Sequence, residues 1–219
     1  ALGASFHGQP LGTFGSMATL SFHESKNFSC GEGGALVIND HALVERAEIL
    51  REKGTNRSAF LRREIAKYNW VDLGSSYLMS DLCAAALLAQ LEDFDAIQRR
   101  RHELWSRYVE RLGDWAGSRG VRLPRVDPGC SHAAHLFYII FPGNDQREAA
   151  ITWLKSQGVE AYFHYLPLHQ SPAGQRLGTA PLGAPVTEKV SACLLRLPLY
   201  PALTDEQQQR VMDALVTMP

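Results

Sequence analysis

The sequence has few cysteines, and none of them form a paired metal-binding motif. The four cysteines, at positions 30, 83, 130 and 193, occur singly, which disfavours both a disulfide framework and a zinc site. No apolar run approaches the ~18 residues that a membrane span requires. No secretory signal pattern is present either. These absences predict a cytoplasmic protein with reduced cysteines.

An excess of charge of one sign is also lacking. The 219 residues carry a formal net charge of −1, so no electrostatic feature argues for a nucleic-acid or membrane partner. The basic run at Arg99, Arg100 and Arg101 lies among acidic residues in a helical pattern. We interpret this run as a solvated helix face rather than a polyanion site.

The first part of the chain has the pattern of an α/β protein. Residues 19–22 and 35–39 are strand-like, and Asp40 is a plausible N-cap for a helix over 41–53. The chain begins Ala-Leu-Gly-Ala-Ser without an initiator methionine. We therefore expect it to be the interior part of a longer protein.

The remainder of the chain begins with an irregular segment and then alternates helix and strand. Residues 54–77 read as a polar loop, and a long helical pattern runs from Ser80 to about residue 112. Gly113 starts a break, after which the predicted order is strand 136–141, helix 145–156, strand 159–164, helix 187–195, strand 196–199 and a helix from Thr204. This change of pattern predicts one domain over residues 1–95 and another over 96–219.

One segment carries side chains suited to chemistry. Residues 21–27 read Ser-Phe-His-Glu-Ser-Lys-Asn, and Gly-Glu-Gly-Gly follows at 31–34. If the strand extends to His23, Ser21 and His23 share one face, and Lys26 lies in the turn that leaves the strand. Ligands of open α/β sheets bind at such strand ends. Taken alone, the spacing also suits a surface lysine beside a glycine hairpin.

These two segments resemble the lysine motif of the DegT-type sugar aminotransferases, a pyridoxal-phosphate (PLP) family of fold type I. Further similarities follow in the family's order at residues 1–4, 74–82, 135–138, 163–169 and 196–199. The resemblance implies the carboxyl-terminal part of the large PLP-binding domain over residues 1–95. It implies a linking helix and the small α/β domain over 96–219.

The resemblance also implies roles for individual residues at the cofactor. Lys26 would be the Schiff-base lysine and the proton shuttle, and Ser21 would hydrogen-bond the PLP phosphate. His23 belongs to the motif and is either a neighbour of the cofactor or a packed structural histidine. Ser76 stands where many relatives have an asparagine that reaches the phosphate in the neighbouring subunit. Leu78 stands where an arginine is common, so a polar contact is lost there.

A second set of candidates lies in the segment that the family places near the sugar nucleotide. His164, Tyr165 and His169 would contact the substrate, although His169 suits a structural role equally well. The spacing of these histidines, like that of His132 and His135, also allows metal ligation. No nearby carboxylate or thiolate completes either set, so we expect no metal site.

The implied reaction transfers an amino group from glutamate to a dTDP-linked 4-keto-6-deoxy sugar, in a homodimer. Residues 52–58 and 74–77 most resemble members that make dTDP-4-amino-4,6-dideoxygalactose. The family's aspartate for the pyridine nitrogen falls before Ala1, so we expect this chain alone to be a poor catalyst. One alternative is an inactive fragment or interaction domain. Another is a PLP-dependent sugar dehydratase, which Lys26 disfavours because those relatives carry histidine there.

Overall fold

The computed structural model describes residues 1–219 and divides the chain into two compact units. The first unit comprises Ala1–Asp95 and Pro128–Ala133, and the second comprises Ala96–Asp127 and Ala134–Pro219. The return of residues 128–133 to the first unit has no local signature in the sequence, because it depends on pairing with a strand near the start of the chain.

The first unit contains two antiparallel sheets. Its strands are β1 (Ser5–Phe6), β2 (Gln9–Pro10), β3 (Met17–Ser21), β4 (Gly34–Ile38) and β5 (Cys130–Ser131). Strand β1 pairs with both β2 and β5, whereas β3 and β4 form a separate hairpin. The strands predicted at residues 19–22 and 35–39 are confirmed, with slightly shifted ends. The expectation that His23 shares a strand face with Ser21 is wrong, because β3 ends at Ser21.

The first unit has three α-helices, α1 (Val44–Arg51), α2 (Arg57–Leu61) and α3 (Asp81–Glu92). Side-chain caps that the sequence marks start the 3₁₀ turn before α1 and the helix α3. Asp40 accepts from the Ala42 N–H at 3.0 Å and starts a 3₁₀ turn that leads into α1. Ser80 accepts from the Cys83 N–H at 3.2 Å at the start of α3. Helix α2 interrupts the loop that was predicted over residues 54–77. It contacts α1, which lies outside this segment.

The second unit packs helices against one small sheet. Its elements are α4 (Phe94–Ser118, which begins in the first unit), β6 (Phe137–Ile140), α5 (Asn144–Ser156), β7 (Tyr162–Phe163), α6 (Pro172–Leu177), α7 (Pro185–Cys193), β8 (Leu194–Leu197) and α8 (Asp205–Val216). The sheet is antiparallel in the order β6-β8-β7. Alternate residues of β6 and β8 are buried, so one face of the sheet forms the core with α4, α5 and α8.

Two expectations about the long helical pattern are corrected. The pattern from Ser80 is two helices, α3 and α4, separated at Asp93. Helix α4 also continues through Gly113, where the sequence predicted a break. Burial of Trp115 and Ala116 in the core offsets the roughly 1 kcal/mol that glycine costs inside a helix.

The interpretation of residues 99–101 as a solvated face is wrong for Arg101. Its side chain is buried and donates to the Leu199 carbonyl at 3.2 Å, and burial lowers the pKa of Arg101 to about 10. Arg100 pairs with Asp205 at 2.9 Å. Arg100 and Arg101 therefore link α4 to the chain between β8 and the first residue of α8. None of the helices has the length and apolar composition needed to cross a membrane.

Candidate active site

The β3–β4 hairpin carries an ordered loop, residues 22–33, which we call the lysine loop. Hydrogen bonds continue beyond β3: the Phe22 N–H donates to the Gly33 carbonyl at 2.8 Å, and the Cys30 N–H donates to the Phe22 carbonyl at 3.0 Å. The Glu24 N–H donates to the Gly31 carbonyl at 2.8 Å. The two legs of the loop are therefore closed on each other up to the turn that contains Lys26.

Three contacts fix the residues that follow Lys26. The Phe28 ring is 2% exposed and stacks on Phe94, with ring centres 4.8 Å apart. The Ser29 N–H donates to Gln90 Oε1 at 3.0 Å, and Gln90 Nε2 donates back to the Ser29 carbonyl. Asn27 Nδ2 donates to the Ala133 carbonyl at 2.6 Å. Because these contacts anchor the three residues that follow the lysine, they fix the position of the turn that carries it.

Lys26 and Ser21 are exposed at opposite ends of the same short segment. The Lys26 N–H donates to the His23 carbonyl at 2.9 Å, and the His23 N–H donates to Ser21 Oγ at 3.4 Å. One short stretch of chain, residues 21–26, thus carries the amine, the imidazole and the hydroxyl that the sequence indicated. The amine is available as a nucleophile, and the hydroxyl can donate to an anion.

His23 is oriented by its own loop. The Ser25 N–H donates to His23 Nδ1 at 3.1 Å, and Ser25 Oγ lies 2.9 Å from the same nitrogen. A backbone N–H can only donate, so Nδ1 is the acceptor and the neutral ring carries its proton on Nε2. That nitrogen is 3.6 Å from Glu32 Oε1. These contacts favour a loop-ordering role for His23.

Ser76 lies on a segment that pairs with the end of α1. Ser76 forms a β-bridge with Glu52, and the Tyr77 N–H donates to the Arg51 carbonyl at 3.0 Å. A Cβ added to Gly74 would come within 2.1 Å of the Gly54 nitrogen, so only glycine permits this close approach. The Ser76 side chain is exposed.

Sequence reasoning missed Gln90 and Glu52. Gln90 clamps the lysine loop from α3, and no local signal marks it because its partner is far away in sequence. Glu52 is buried and accepts from Arg57 Nη1 at 3.2 Å, while its Oε2 has no hydrogen-bond partner. The sequence signal that could have identified Glu52 is its position between two basic residues, Arg51 and Lys53.

The second unit contains the other candidates, His164, Tyr165 and His169. His164 Nδ1 is buried without a hydrogen-bond partner, and burial, aided by the nearby charge of Arg196, lowers the pKa of His164. The Tyr165 ring is exposed and its centre lies 5.4 Å from that of His164. His169 Nε2 is instead 2.8 Å from Glu188 Oε1, and the hydrogen bond from His169 lowers the pKa of Glu188. The His169 pair favours a structural role.

Lys26 of the lysine loop and Ser21 at the end of β3 fit the chemistry of PLP. The cofactor offers an aldehyde and a phosphate, which match the exposed amine of Lys26 and the exposed hydroxyl of Ser21. A Cβ built on Gly31 would meet nothing within 4 Å, so the returning leg of the loop faces open space. These residues can therefore hold such a group.

Comparisons with known proteins agree on one family. The model of the DegT/DnrJ/EryC1/StrS aminotransferase family matches residues 1–216. The dTDP-3-amino-3,4,6-trideoxy-alpha-D-glucose transaminase of Streptomyces venezuelae is 32% identical over 219 residues, covering 98% of this chain and 53% of that protein. The chain therefore spans about half the length of the curated relatives it matches.

Solved structures of aminotransferases also match the fold of this chain. S. venezuelae DesV in complex with a ketimine intermediate superimposes with a TM-score of 0.84 at 32% identity, covering 99% of this chain and 55% of that one. The aminotransferase TlmJ from Streptoalloteichus hindustanus superimposes with a TM-score of 0.84 at 26% identity, covering 98% and 55% of the two chains.

Proposed function

Because this chain belongs to the DegT/DnrJ/EryC1/StrS aminotransferase family, we propose that it supplies the cofactor-binding lysine, Lys26, to a sugar-nucleotide aminotransferase. Its fold is the mixed α/β fold of the PLP-dependent sugar aminotransferases of fold type I. The family uses PLP. The single observation that carries the proposal is an exposed lysine on a loop that is pinned on both sides.

Each candidate side chain of the first unit then has a defined task. When bound, PLP would supply an aldehyde for the amine and a ring that withdraws electrons from the reacting carbon. Lys26 would hold the cofactor, and its Nζ would accept and return the proton of the reacting carbon. The hydroxyl of Ser21 would donate to the phosphate. Ser76 would offer a second hydroxyl, with a shorter reach than asparagine, and His23 would order the turn.

The proposed substrates are glutamate and a dTDP-linked 4-keto-6-deoxy sugar. His164 suits contact with a sugar hydroxyl, because its lowered pKa keeps the ring neutral at neutral pH. Tyr165 offers an exposed ring and hydroxyl beside it. We propose His169 for the same set, with Nδ1 as the nitrogen left for a ligand because Nε2 pairs with Glu188.

Two proposals concern organisation. We assign residues 1–95 to the large PLP-binding domain and 96–219 to the linking helix and small domain. We also assign a homodimer as the working form. An inactive or purely interacting chain is the second candidate function.

Product analysis tests the proposal. The aminotransferase that contains this chain is incubated with glutamate and dTDP-4-keto-6-deoxyglucose, and the products are separated and identified by mass spectrometry and NMR. We expect a 4-amino-4,6-dideoxy sugar on dTDP and an equal amount of 2-oxoglutarate. Amination at another carbon would correct the sugar, whereas a preparation that forms no 2-oxoglutarate with any nucleotide sugar contradicts the activity.

A further inference from the structure

Two cysteines that are far apart in the sequence come close together in the first unit. Cys30 lies on the returning leg of the lysine loop, and Cys83 lies in the first turn of α3. Burial raises the pKa of Cys30, and the nearby charge of Cys83 raises it further. An electrostatic effect of this kind falls off with distance, so the two thiols are neighbours. Both are partly buried and free, and no proposed step uses them.

The Cys30 thiol occupies a small space against the start of α3. Its Sγ is 3.9 Å from Met79 Sδ, 3.5 Å from the Glu32 carbonyl and 3.8 Å from the Phe22 carbonyl. A Cβ on Gly33 would come within 2.5 Å of this Sγ and 2.7 Å of Met79 Cε, so the two sulfur-containing side chains fill the space beside that glycine. The thiol therefore packs on the residue that precedes the cap of α3.

The cap of α3 holds the second thiol close to that residue. Ser80 Oγ accepts from the Cys83 N–H at 3.2 Å, and the Ser80 carbonyl accepts from the Ala84 N–H at 2.9 Å. These two hydrogen bonds close the first turn of the helix. The closed turn keeps Cys83 next to Met79, on which the Cys30 thiol packs.

A bond between the two sulfur atoms would act on the lysine loop where its legs meet. The Cys30 N–H donates to the Phe22 carbonyl at 3.0 Å, which closes the loop that carries Lys26. The preceding residue, Ser29, is held by Gln90. Because Cys30 is joined to both contacts, drawing its Sγ towards α3 would shift the turn. A displacement of about 1 Å in a reacting group costs about a hundredfold in turnover.

We propose that Cys30 and Cys83 form a reversible disulfide under hydrogen peroxide and that this disulfide slows the aminotransferase. One thiolate attacks the O–O bond of the peroxide and becomes a sulfenic acid, and hydroxide leaves. The sulfur of the other cysteine attacks the sulfenic sulfur, and the S–OH bond breaks with loss of water. The two thiols together give up two protons and two electrons, and the peroxide is reduced to two molecules of water. A reducing dithiol reverses the bond by thiol–disulfide exchange.

The order of the two steps follows from the surroundings of Cys30. Its raised pKa keeps this residue protonated, and a protonated thiol is a slow nucleophile towards peroxide. We therefore assign the first step to Cys83 and the second to Cys30, which meets an oxidised sulfur already placed beside it. The effect on turnover rests on the proposed function, whereas the disulfide itself does not.

Peptide mapping of the aminotransferase that contains this chain tests the pair. The protein is treated with hydrogen peroxide, the remaining thiols are alkylated, and the digest is analysed by mass spectrometry without reduction. We expect a peptide that joins Cys30 to Cys83, about 2 Da lighter than the two reduced peptides together. Turnover should fall at least about tenfold as this peptide appears. Dithiothreitol should remove the peptide and restore turnover.

Matched serine variants separate this pair from the other thiols. Cys83→Ser keeps the backbone N–H that Ser80 caps, so turnover should equal that of the wild type before peroxide and persist in it. Cys130 carries an exposed thiol outside the pair, so Cys130→Ser should lose turnover in peroxide as the wild type does. Cys30→Ser should resist peroxide too, and it decides the matter if Cys83→Ser does not fold.

Two results would overturn the proposal. One is the absence of the Cys30–Cys83 peptide after oxidation. The other is an equal loss of turnover in wild type and Cys83→Ser, which would trace the loss to another oxidation, such as that of Met79 to its sulfoxide. The peptide measurement needs no transamination. A preparation that forms the cross-link but never transaminates therefore supports the disulfide and contradicts the proposed function.

Discussion

At the scale of single residues, Lys26 gains its role from the residues that follow it. Phe28 and Ser29 are fixed by Phe94 and Gln90, while the lysine side chain remains exposed. The local sequence placed Ser21, His23 and Lys26 on one short stretch of chain, although the expected strand face shared by Ser21 and His23 is absent because β3 ends at Ser21. It could not predict the clamp, because that depends on a helix much further along.

Replacing Lys26 with alanine should separate binding from catalysis. We expect turnover in the aminotransferase that contains this chain to fall at least about a thousandfold, because the proton carrier is lost. PLP should still bind without a covalent link, since the hydroxyl of Ser21 is unchanged. Turnover and cofactor content are measured together, with Lys67→Ala, another exposed lysine, as the control. Equal loss in both variants would contradict the assignment.

At the scale of elements, caps and periodicity predicted most of the helices and strands. Thr204 Oγ1 accepts from the Gln207 N–H at 3.2 Å, and Gln207 Oε1 accepts from the Thr204 N–H at 2.9 Å, so a capping box starts α8 at the residue that the sequence predicted. The expectations failed where packing overrides a local signal, as at Gly113 inside α4. Arg101 is buried for the same reason, since α4 packs on the core along that face.

The clamp between α3 and the lysine loop has a measurable consequence. Gln90→Ala leaves the Ser29 N–H and carbonyl without the Gln90 side chain, a loss of roughly 1–3 kcal/mol. We expect faster hydrogen exchange at residues 27–30 and weaker retention of PLP. Leu88→Ala changes an exposed residue of the same helix and is the matched control. If exchange in the loop is the same in both variants, the clamp does not order Lys26.

The contribution of the α4–α8 junction to the free energy of unfolding should depend on pH and should decrease in acid. Hydrogen bonds from Arg107 and then Arg100 lower the pKa of Asp205 from 3.8 to about 2. A lowered folded-state pKa gives stability that is present above the unfolded value and lost as pH falls through the folded value. Asp205→Asn should therefore be less stable than wild type at pH 7. The difference should shrink between about pH 4 and pH 2.

Denaturant unfolding at several pH values measures this effect. Glu206→Gln also removes an acid from the first turn of α8, and thus controls for the helix dipole. We expect a smaller difference from wild type in that variant. A constant gap between wild type and Asp205→Asn down to pH 2 would show that the arginine contacts do not set its stability.

At the scale of the whole molecule, the first unit exposes large apolar side chains that suit an interface. Trp70, Leu73, Tyr77 and Leu82 are each more than 70% exposed. The proposed homodimer would cover them with a second copy. Sequence reasoning implied the dimer through the family resemblance, but the local pattern gave no sign of which side chains remain exposed.

Sedimentation of the protein at micromolar concentration tests the dimer. We expect a dimer in the wild type and a shift towards monomer in Trp70→Ser combined with Leu73→Ser, because burial of each ring or branched chain contributes about 1.5–3 kcal/mol. Leu182→Ser, an exposed leucine of the second unit, is the control. A wild type that remains monomeric at these concentrations contradicts the assignment.

Peptide mapping after borohydride reduction tests whether Lys26 bonds covalently to PLP. The reduced aminotransferase that contains this chain is digested, and the labelled peptide is sequenced by mass spectrometry. We predict a single label on Lys26, in the peptide that also holds Ser21 and His23. A label on Lys53, Lys67, Lys155 or Lys189 instead, or no label in a preparation that transaminates, would contradict the account.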